Sequence, residues 1–282
     1  MSVSNTELTA LSATHDIITL GMQADEARRA RHGARTTFVR VAEVDAAPGG
    51  PVEIPPAAGE VRIAGSPASR QAALERTREV SAAAGRVPVS GFSLADLEQL
   101  AAREQVTLRT LLEELRAAGL ELVAEAPFDL LVDARRSIEQ VNIAGLVLAR
   151  LTVARLLAPD SSSLLTAVAS LQRDVGVVRA FAPLARRPNP AVPTTGYEDV
   201  KRVALARLSL DVPPIQVDWS LYGPKLAQVA LTVGADDVHG VSGVVDMTAG
   251  RRRAPREEVL RNIEAAGLQA AERNGRFDIL AG

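Results

Sequence analysis

The stretch from Glu60 to Ser90, EVRIAGSPASRQAALERTREVSAAAGRVPVS, decides the fold class. Glu60 to Ala64 reads as a short strand, Arg70 to Ala84 as a helix closed by Gly85, and Arg86 to Ser90 as another strand. Strand, helix, strand in this order is the unit of a parallel sheet covered by helices.

The same alternation continues on both sides. Upstream, Asp16 is placed to cap a helix that carries Arg28, Arg29 and Arg31 in its last turn and stops at Gly33, and Thr36 to Val41 reads as the first strand. Ala42 to Gly59 has neither period and is read as a linker or surface loop. Downstream, Ser93 with Asp96 caps one helix and Thr107 caps the next, so two helices share one crossover. A strand follows near Leu120 to Ala124 or Phe128 to Val132, then a helix from Arg135 to Ala149, a strand from Leu151 to Leu157, a helix from Ser161 and a strand from Val177 to Phe181. The pattern fits an open sheet or a barrel equally well. The proline-rich run from Arg186 to Thr195 reads as a boundary. It divides a barrel over residues 1–185 from a C-terminal extension over 186–282 that completes the barrel or packs on it. In that extension, helices from Thr195 to Leu208 and Pro224 to Val233 frame an extended Ile215 to Leu221, and a last helix runs from Pro255 to Gly267.

Composition narrows the function. The 282 residues are 47% apolar with a formal charge of −2 from 32 basic and 34 acidic residues, so the positive excess that nucleic acid requires is missing. The most apolar run, Ile143 to Ala158, is broken by Arg150 and Arg155 and is too short for a membrane span. Met1 to Ala10 lacks the basic start and apolar run of a secretion signal, and the expected location is the cytoplasm. The chain has no cysteine, which removes disulfides, thiolate nucleophiles and cysteine-ligated metal centres together.

Other chemistry has little support in the residues. His15, His32 and His239 are scattered; His32, before Gly33, reads as a helix-terminal residue that complements the dipole. Asp236, Asp237 and His239 read first as a polar loop between Gly234 and Gly240, and alternatively as a carboxylate and imidazole cluster suited to acid-base work or metal binding. Arg251, Arg252, Arg253 and Arg256 read as a solvated helix start, with a phosphate or carboxylate grip as the alternative. Trp219 and Tyr222 either anchor the extension or line the barrel mouth. No nucleophile elbow, Walker loop or dinucleotide fingerprint occurs.

Leu20-Gly21-Met22-Gln23-Ala24-Asp25, Arg31-His32-Gly33, Thr37-Phe38-Val39-Arg40, Glu60-Val61-Arg62-Ile63-Ala64-Gly65 and Ala180-Phe181-Ala182-Pro183-Leu184-Ala185 occur in this order. With Gly223-Pro224-Lys225-Leu226 and Gly234-Ala235-Asp236-Asp237, they resemble aminofutalosine synthase. They are similar, to a lesser degree, to dehypoxanthine futalosine cyclase and the coenzyme F420 synthase subunits. The resemblance implies a TIM-type (βα) barrel of the radical S-adenosylmethionine kind, possibly incomplete, with a C-terminal helical extension. It also implies three cluster cysteines soon after the first strand, where this chain has Ala42 to Gly59, and a glycine pair with His-Pro where it has Gly65-Ser66-Pro67-Ala68. Oxygen ligands from Glu43 or Asp45 are poor substitutes for thiolates. The expectation is a relative without the iron-sulfur cluster or other cofactor, doubtful in its binding of S-adenosylmethionine. Its role is either to bind a menaquinone-pathway metabolite or to pair with a homologous subunit. The alternative is an enzyme with cluster-independent chemistry at the strand ends. The candidate binding residues are Asp218, Trp219, Lys225, Asp236, Asp237 and His239.

Overall fold

A computed structural model describes residues 5–155, 161–186, 196–210, 214–244 and 255–280. Two helices, α1 (Asn5–Ala13) and α2 (Ile17–His32), precede strand β1 (Arg35–Asp45), and β2 (Glu60–Ala64) follows it with no helix between. Then come α3 (Arg70–Ala84), β3 (Val89–Ser93), α4 (Leu94–Arg103), α5 (Leu108–Ala117), β4 (Leu122–Pro127) and α6 (Ala134–Ile143). They are followed by β5 (Val147–Leu148), β6 (Leu151–Val153), α7 (Ser161–Val175), β7 (Phe181–Ala185) and α8 (Gly196–Ser209). The chain continues with β8 (Gln216–Asp218), α9 (Trp219–Thr232), β9 (Asp237–Ser242), α10 (Pro255–Ala265) and β10 (Gln269–Glu272).

The strands run in the order β7-β6-β4-β3-β2-β1-β9-β8, and every one of these pairs is parallel. The remaining seam, between β7 and β8, is held by the Phe181–Ile215 bridge, with Phe181 N donating to Pro214 O at 3.1 Å. The result is a nearly closed eight-stave barrel in chain order, with helices outside. β5 and β6 are two parts of one stave, because Ala149 N bonds Val123 O and Ala126 N bonds Arg150 O without loss of register on β4. Two of the staves, β8 and β9, come from the part of the chain after residue 186. The proline-rich run over 187–195 lies outside the described residues, as do Arg251, Arg252 and Arg253.

Local signals explain most boundaries. Asp16 accepts from Thr19 N at 3.0 Å, Ser69 from Ala72 N at 3.1 Å, Thr107 from Thr110 N at 3.1 Å and Asp133 from Arg136 N at 3.0 Å, each relieving a helix N-terminus of an unpaired donor. The leucines at 94, 97, 100, 111, 112 and 115 share the buried faces of α4 and α5.

Other expectations are corrected. Ser93 stands at the N-cap of α4 but makes no side-chain cap bond, while Asp96 accepts from Ser66 instead. β1 runs on to Asp45, so the loop begins at Ala46; β3 and β7 start later than expected; and α6 ends at Ile143, where Gly145 turns the chain at φ 77°. Asp218 caps α9, so Trp219 and Leu221 are helical rather than extended. β9 replaces the expected polar loop, and β10 was not anticipated.

The crossing from β1 to β2 is made by residues 46–59 alone, and one side chain anchors it. Buried Arg76 on α3 donates from Nε to Asp45 O at 2.7 Å and from Nη1 to Gly50 O at 2.9 Å, while Glu79 accepts from Gly49 N. At the far end, β10 lies below β2 against the lower half of β1, and Gly59 passes so close that a Cβ there would stand 2.9 Å from Arg273 O. Arg76→Ala is expected to lower stability by about 2–3 kcal/mol, since two bonds from a buried guanidinium are lost. Urea unfolding at pH 7 measures the loss, and limited proteolysis should then cut within residues 46–59.

Candidate functional site

In a strand, side chains alternate between faces, and this alternation turns Glu60 and Arg62 of β2, Glu125 of β4, Gln216 and Asp218 of β8, and Asp237 and His239 of β9 into one shared interior. Arg150, in the break between β5 and β6, and Arg186, just after β7, join them, and Arg273 reaches in from beyond β10. Small (βα) barrels usually fill this space with branched aliphatic residues. Here four guanidiniums, Arg62, Arg150, Arg186 and Arg273, meet four carboxylates, Glu60, Glu125, Asp218 and Asp237.

The pairing is layered. At the strands' N-terminal end, Arg273 binds Asp237 in a fork, 2.6 Å from Nε and 2.8 Å from Nη2, and Gln216 Nε2 donates to the same carboxylate at 2.6 Å. In the middle, Glu60 accepts from Arg62 at 2.8 Å and from Ser90 at 2.6 Å, and Arg62 Nη2 contacts His239 Nε2. Toward the C-terminal ends, Arg186 holds both Glu125 and Asp218 at 2.8 Å. Asp218 also accepts from Ser220 at 2.8 Å and Leu221 N at 3.1 Å. Arg150 differs from the rest: its contacts to Gln216, Asp218 and Glu125 are all 3.4 Å, longer than a normal charge-assisted bond.

Burial opposes the charge on Glu60, Asp237 and Asp218 and is overcome. Arg62 and Ser90 hold Glu60 below its ordinary pKa, Arg273 does the same for Asp237, and Arg150 with Arg186 hold Asp218 well below the carboxylate range. Arg150 is pushed down to about 9 by burial and by its neighbours Arg62 and Arg186. His239 is held well below the usual imidazole value by burial and by four arginines, Arg150 most strongly, and is therefore neutral.

The structure separates the candidate binding residues. Asp218, Asp237 and His239 share the interior; Trp219 is buried at the start of α9; Lys225 is exposed on that helix. Asp236 faces away from the interior. Its Oδ1 accepts from Arg207 at 2.5 Å and Ile215 N at 2.7 Å, and its Oδ2 lies 3.4 Å from His32 Nε2. The alternative reading, Asp236, Asp237 and His239 as one cluster, therefore does not hold, because consecutive strand residues face opposite ways. Among the described residues no group of three or more His, Cys, Asp or Glu is placed to hold a metal. Tyr222 donates to Ala185 O, tying α9 to the end of β7. Sequence reading passed over Arg62, Arg150, Arg186 and Arg273. The available signal was a charge at alternate positions of a short apolar strand, as in Glu60-Val61-Arg62-Ile63.

A cysteine-ligated iron-sulfur cluster does not fit this chain. There is no thiol; Asp45 is turned to Ala47 N at 2.7 Å, and Glu43 stands 58% exposed, 3.8 Å from Arg62. The 65–68 segment is tied to α4 through Ser66 with Asp96 and Arg103 with Ala68 O.

No protein-family model matches the chain. Among curated proteins it is 38% identical over 93 residues to aminodeoxyfutalosine synthase of Streptomyces coelicolor, covering 30% of this chain and 24% of that one. It is 26% identical over 218 residues to cyclic dehypoxanthine futalosine synthase of the same organism, covering 68% and 55%. Over 226 residues it is 25% identical to the 5-amino-6-(D-ribitylamino)uracil–L-tyrosine 4-hydroxyphenyl transferase of Archaeoglobus fulgidus, covering 69% and 66%. The chain thus spans between about a quarter and two thirds of these relatives. Among solved structures, methylornithine synthase superposes with a TM-score of 0.68 at 13% identity, over 96% of this chain and 95% of that one. The hydrogenase maturase HydG gives 0.65 at 11% identity, over 96% and 72%. The resemblance to the futalosine enzymes holds, and the (βα) barrel expected from it is the fold these structures share. No helix among the described residues is long and apolar enough to cross a membrane.

Asp236 gives a pH prediction. Burial pushes its pKa up to about 7 against the pull of Arg207, so between pH ~4 and 7 the folded chain holds a proton that the unfolded chain has released. Its contribution to stability therefore falls as pH rises through that window. Asp236→Asn should flatten that part of a pH series of urea unfolding curves; an unchanged slope would show that Asp236 is ionised throughout.

Proposed function

We propose that this chain is a cluster-less relative of aminodeoxyfutalosine synthase that acts as a non-catalytic binding or accessory protein in the futalosine route to menaquinone. The observation that carries this reading is the state of the barrel interior. Glu60, Asp218 and Asp237 are each held ionised by arginine, His239 is held neutral, and no thiol is available. General acid-base work needs a group whose pKa lies near the working pH, and nucleophilic work needs an activated nucleophile. These locked groups offer neither, yet they form the kind of fixed polar lining that recognises a small molecule. The occupant is a small metabolite of that route, and a homologous catalytic subunit is the second partner on this reading. Fold likeness alone does not transfer an activity, and the reading rests on the interior rather than on the barrel.

One observation favours a second reading, an enzyme with cluster-independent chemistry. Asp236, pushed up to about 7, faces His32 beside a cavity of about 200 Å³ lined also by Arg35, Thr37, Pro214 and Phe277. This pair lies at the N-terminal ends of the strands, whereas catalytic residues of (βα) barrels gather at the C-terminal ends.

Thermal unfolding with S-adenosylmethionine and with futalosine-pathway metabolites tests the first reading, because a ligand of the folded state raises stability by mass action. A metabolite is expected to shift the midpoint upward. Anaerobic incubation with iron, sulfide and S-adenosylmethionine is expected to give neither the visible absorption of a bound cluster nor 5′-deoxyadenosine. Turnover of a pathway metabolite that disappears in Asp236→Asn would favour the second reading.

A further inference from the structure

Three large apolar side chains stand in water on one side of the barrel: Ile18 at 73% exposure and Met22 at 68% on α2, and Val229 at 45% on α9. They border one seam. A Cβ added to Gly21 of α2 would stand 2.8 Å from Val233 Cγ1 at the end of α9, so the two helices touch there. At about 100° per residue, Ile18 and Met22 lie about 60° and about 100° around α2 from Gly21, and Val229 lies about 40° around α9 from Val233. Each of these turns leads away from the buried face, which carries Leu20, Ala24 and Arg28 on α2 and Ala227, Ala230 and Leu231 on α9. The three side chains are therefore the lips of one apolar seam, and apolar surface gathered in this way, rather than scattered singly, marks an interface.

The charges along the seam select what covers it. Past the contact, α2 runs on beside the chain that leaves α9: Ala24 Cβ is 3.2 Å from the place of a Cβ on Gly234, and His32 Nε2 is 3.4 Å from Asp236 Oδ2. The two helices thus run in the same sense. Lys225, two turns before Val233, stands about 12 Å up the seam, and Glu26, more than one turn past Gly21, stands about 8 Å down it. Both are exposed and neither makes an ion pair among the described residues, whereas Asp25, Arg28 and Arg29 pair with one another. A cation at one end, an apolar middle and an anion at the other end make a surface complementary to itself. We propose that the α2–α9 face binds a second copy of this chain across a twofold axis, with Ile18, Met22 and Val229 at the centre and Lys225 paired with the partner's Glu26 at both ends. In such a contact the same patch serves both copies, so each unpaired charge finds its opposite. A partner of one sign would satisfy one end of the seam and repel the other. The surface goes beyond the ligand reading above and does not depend on it.

Sedimentation velocity of the full chain over about 5–200 µM tests the proposal, with a dimer expected at a Kd on the order of 10 µM, the weak end for an interface with a small apolar centre. Met22→Asp is expected to be monomeric over the same range, with its unfolding midpoint at about 1 µM unchanged, because position 22 is exposed in the single chain. Lys225→Glu and Glu26→Lys each set like charges against each other at both ends and should each weaken the dimer about tenfold or more. Mixed in equal amounts, these two variants should associate as tightly as the unaltered chain, since both ion pairs re-form with their signs reversed. A chain that stays monomeric at about 200 µM overturns the proposal, whether or not a homologous subunit binds this face. A dimer untouched by Met22→Asp overturns it, and so does a mixture of the two charge variants that associates no more tightly than either alone.

Discussion

A charge taken out of water must find an opposite charge or lose its ionisation, and the interior of this barrel is built around that requirement. Arg273 and Asp237 close the lower end, Arg62 and Glu60 the middle, and Arg186 with Glu125 and Asp218 the upper end. These pairs join residues from β2, β4, β8, β9 and the segment after β10, so they hold the staves at fixed register across the axis. The weakest seam, between β7 and β8, is bridged from inside by Arg186, which follows β7 and binds the last residue of β8.

The crossing from β1 to β2 carries no thiol, and its fourteen or so residues reach β2 under the hold of Arg76 and Glu79 on α3. β10 then extends the β2 stave downward from the far end of the chain, and Arg273 enters the interior from that added strand. The bare crossing and the charged interior are thus two features of one architecture: a loop alone joins β1 to β2, and the space below β2 is filled by the segment that carries β10 and Arg273.

Arg150 stands apart from this balance. Its side chain sits where the β5–β6 stave is interrupted, beside Gln216 and between two carboxylates, Glu125 and Asp218, that Arg186 holds more tightly, and its burial and like-charged neighbours lower its pKa. An interior fully satisfied by its own residues would leave no cation in that position. The N–H groups of Arg62 Nε and His239 Nδ1 are likewise buried without a hydrogen-bond partner.

The sequence by itself determined the alternation of strands and helices, the capping of α2 and α5, the missing helix between β1 and β2, and the absence of cysteine, because these depend on neighbours within a few residues. It also showed the order of segments shared with the futalosine enzymes. It gave β8 only as part of a longer extended segment, Ile215 to Leu221, and did not show β9 or β10. Asp236-Asp237-Val238-His239 reads as a polar turn since local propensity penalises acids in a strand, and only pairing with β1 and β8 and ion pairs to Arg207 and Arg273 offset that penalty. Which charges meet was likewise a matter of tertiary structure: Arg62 and His239 are 177 residues apart along the chain and touch because β2 and β9 flank the same strand. Periodicity can tell which side of a strand a residue faces; the closing of the sheet into a barrel decides what it faces.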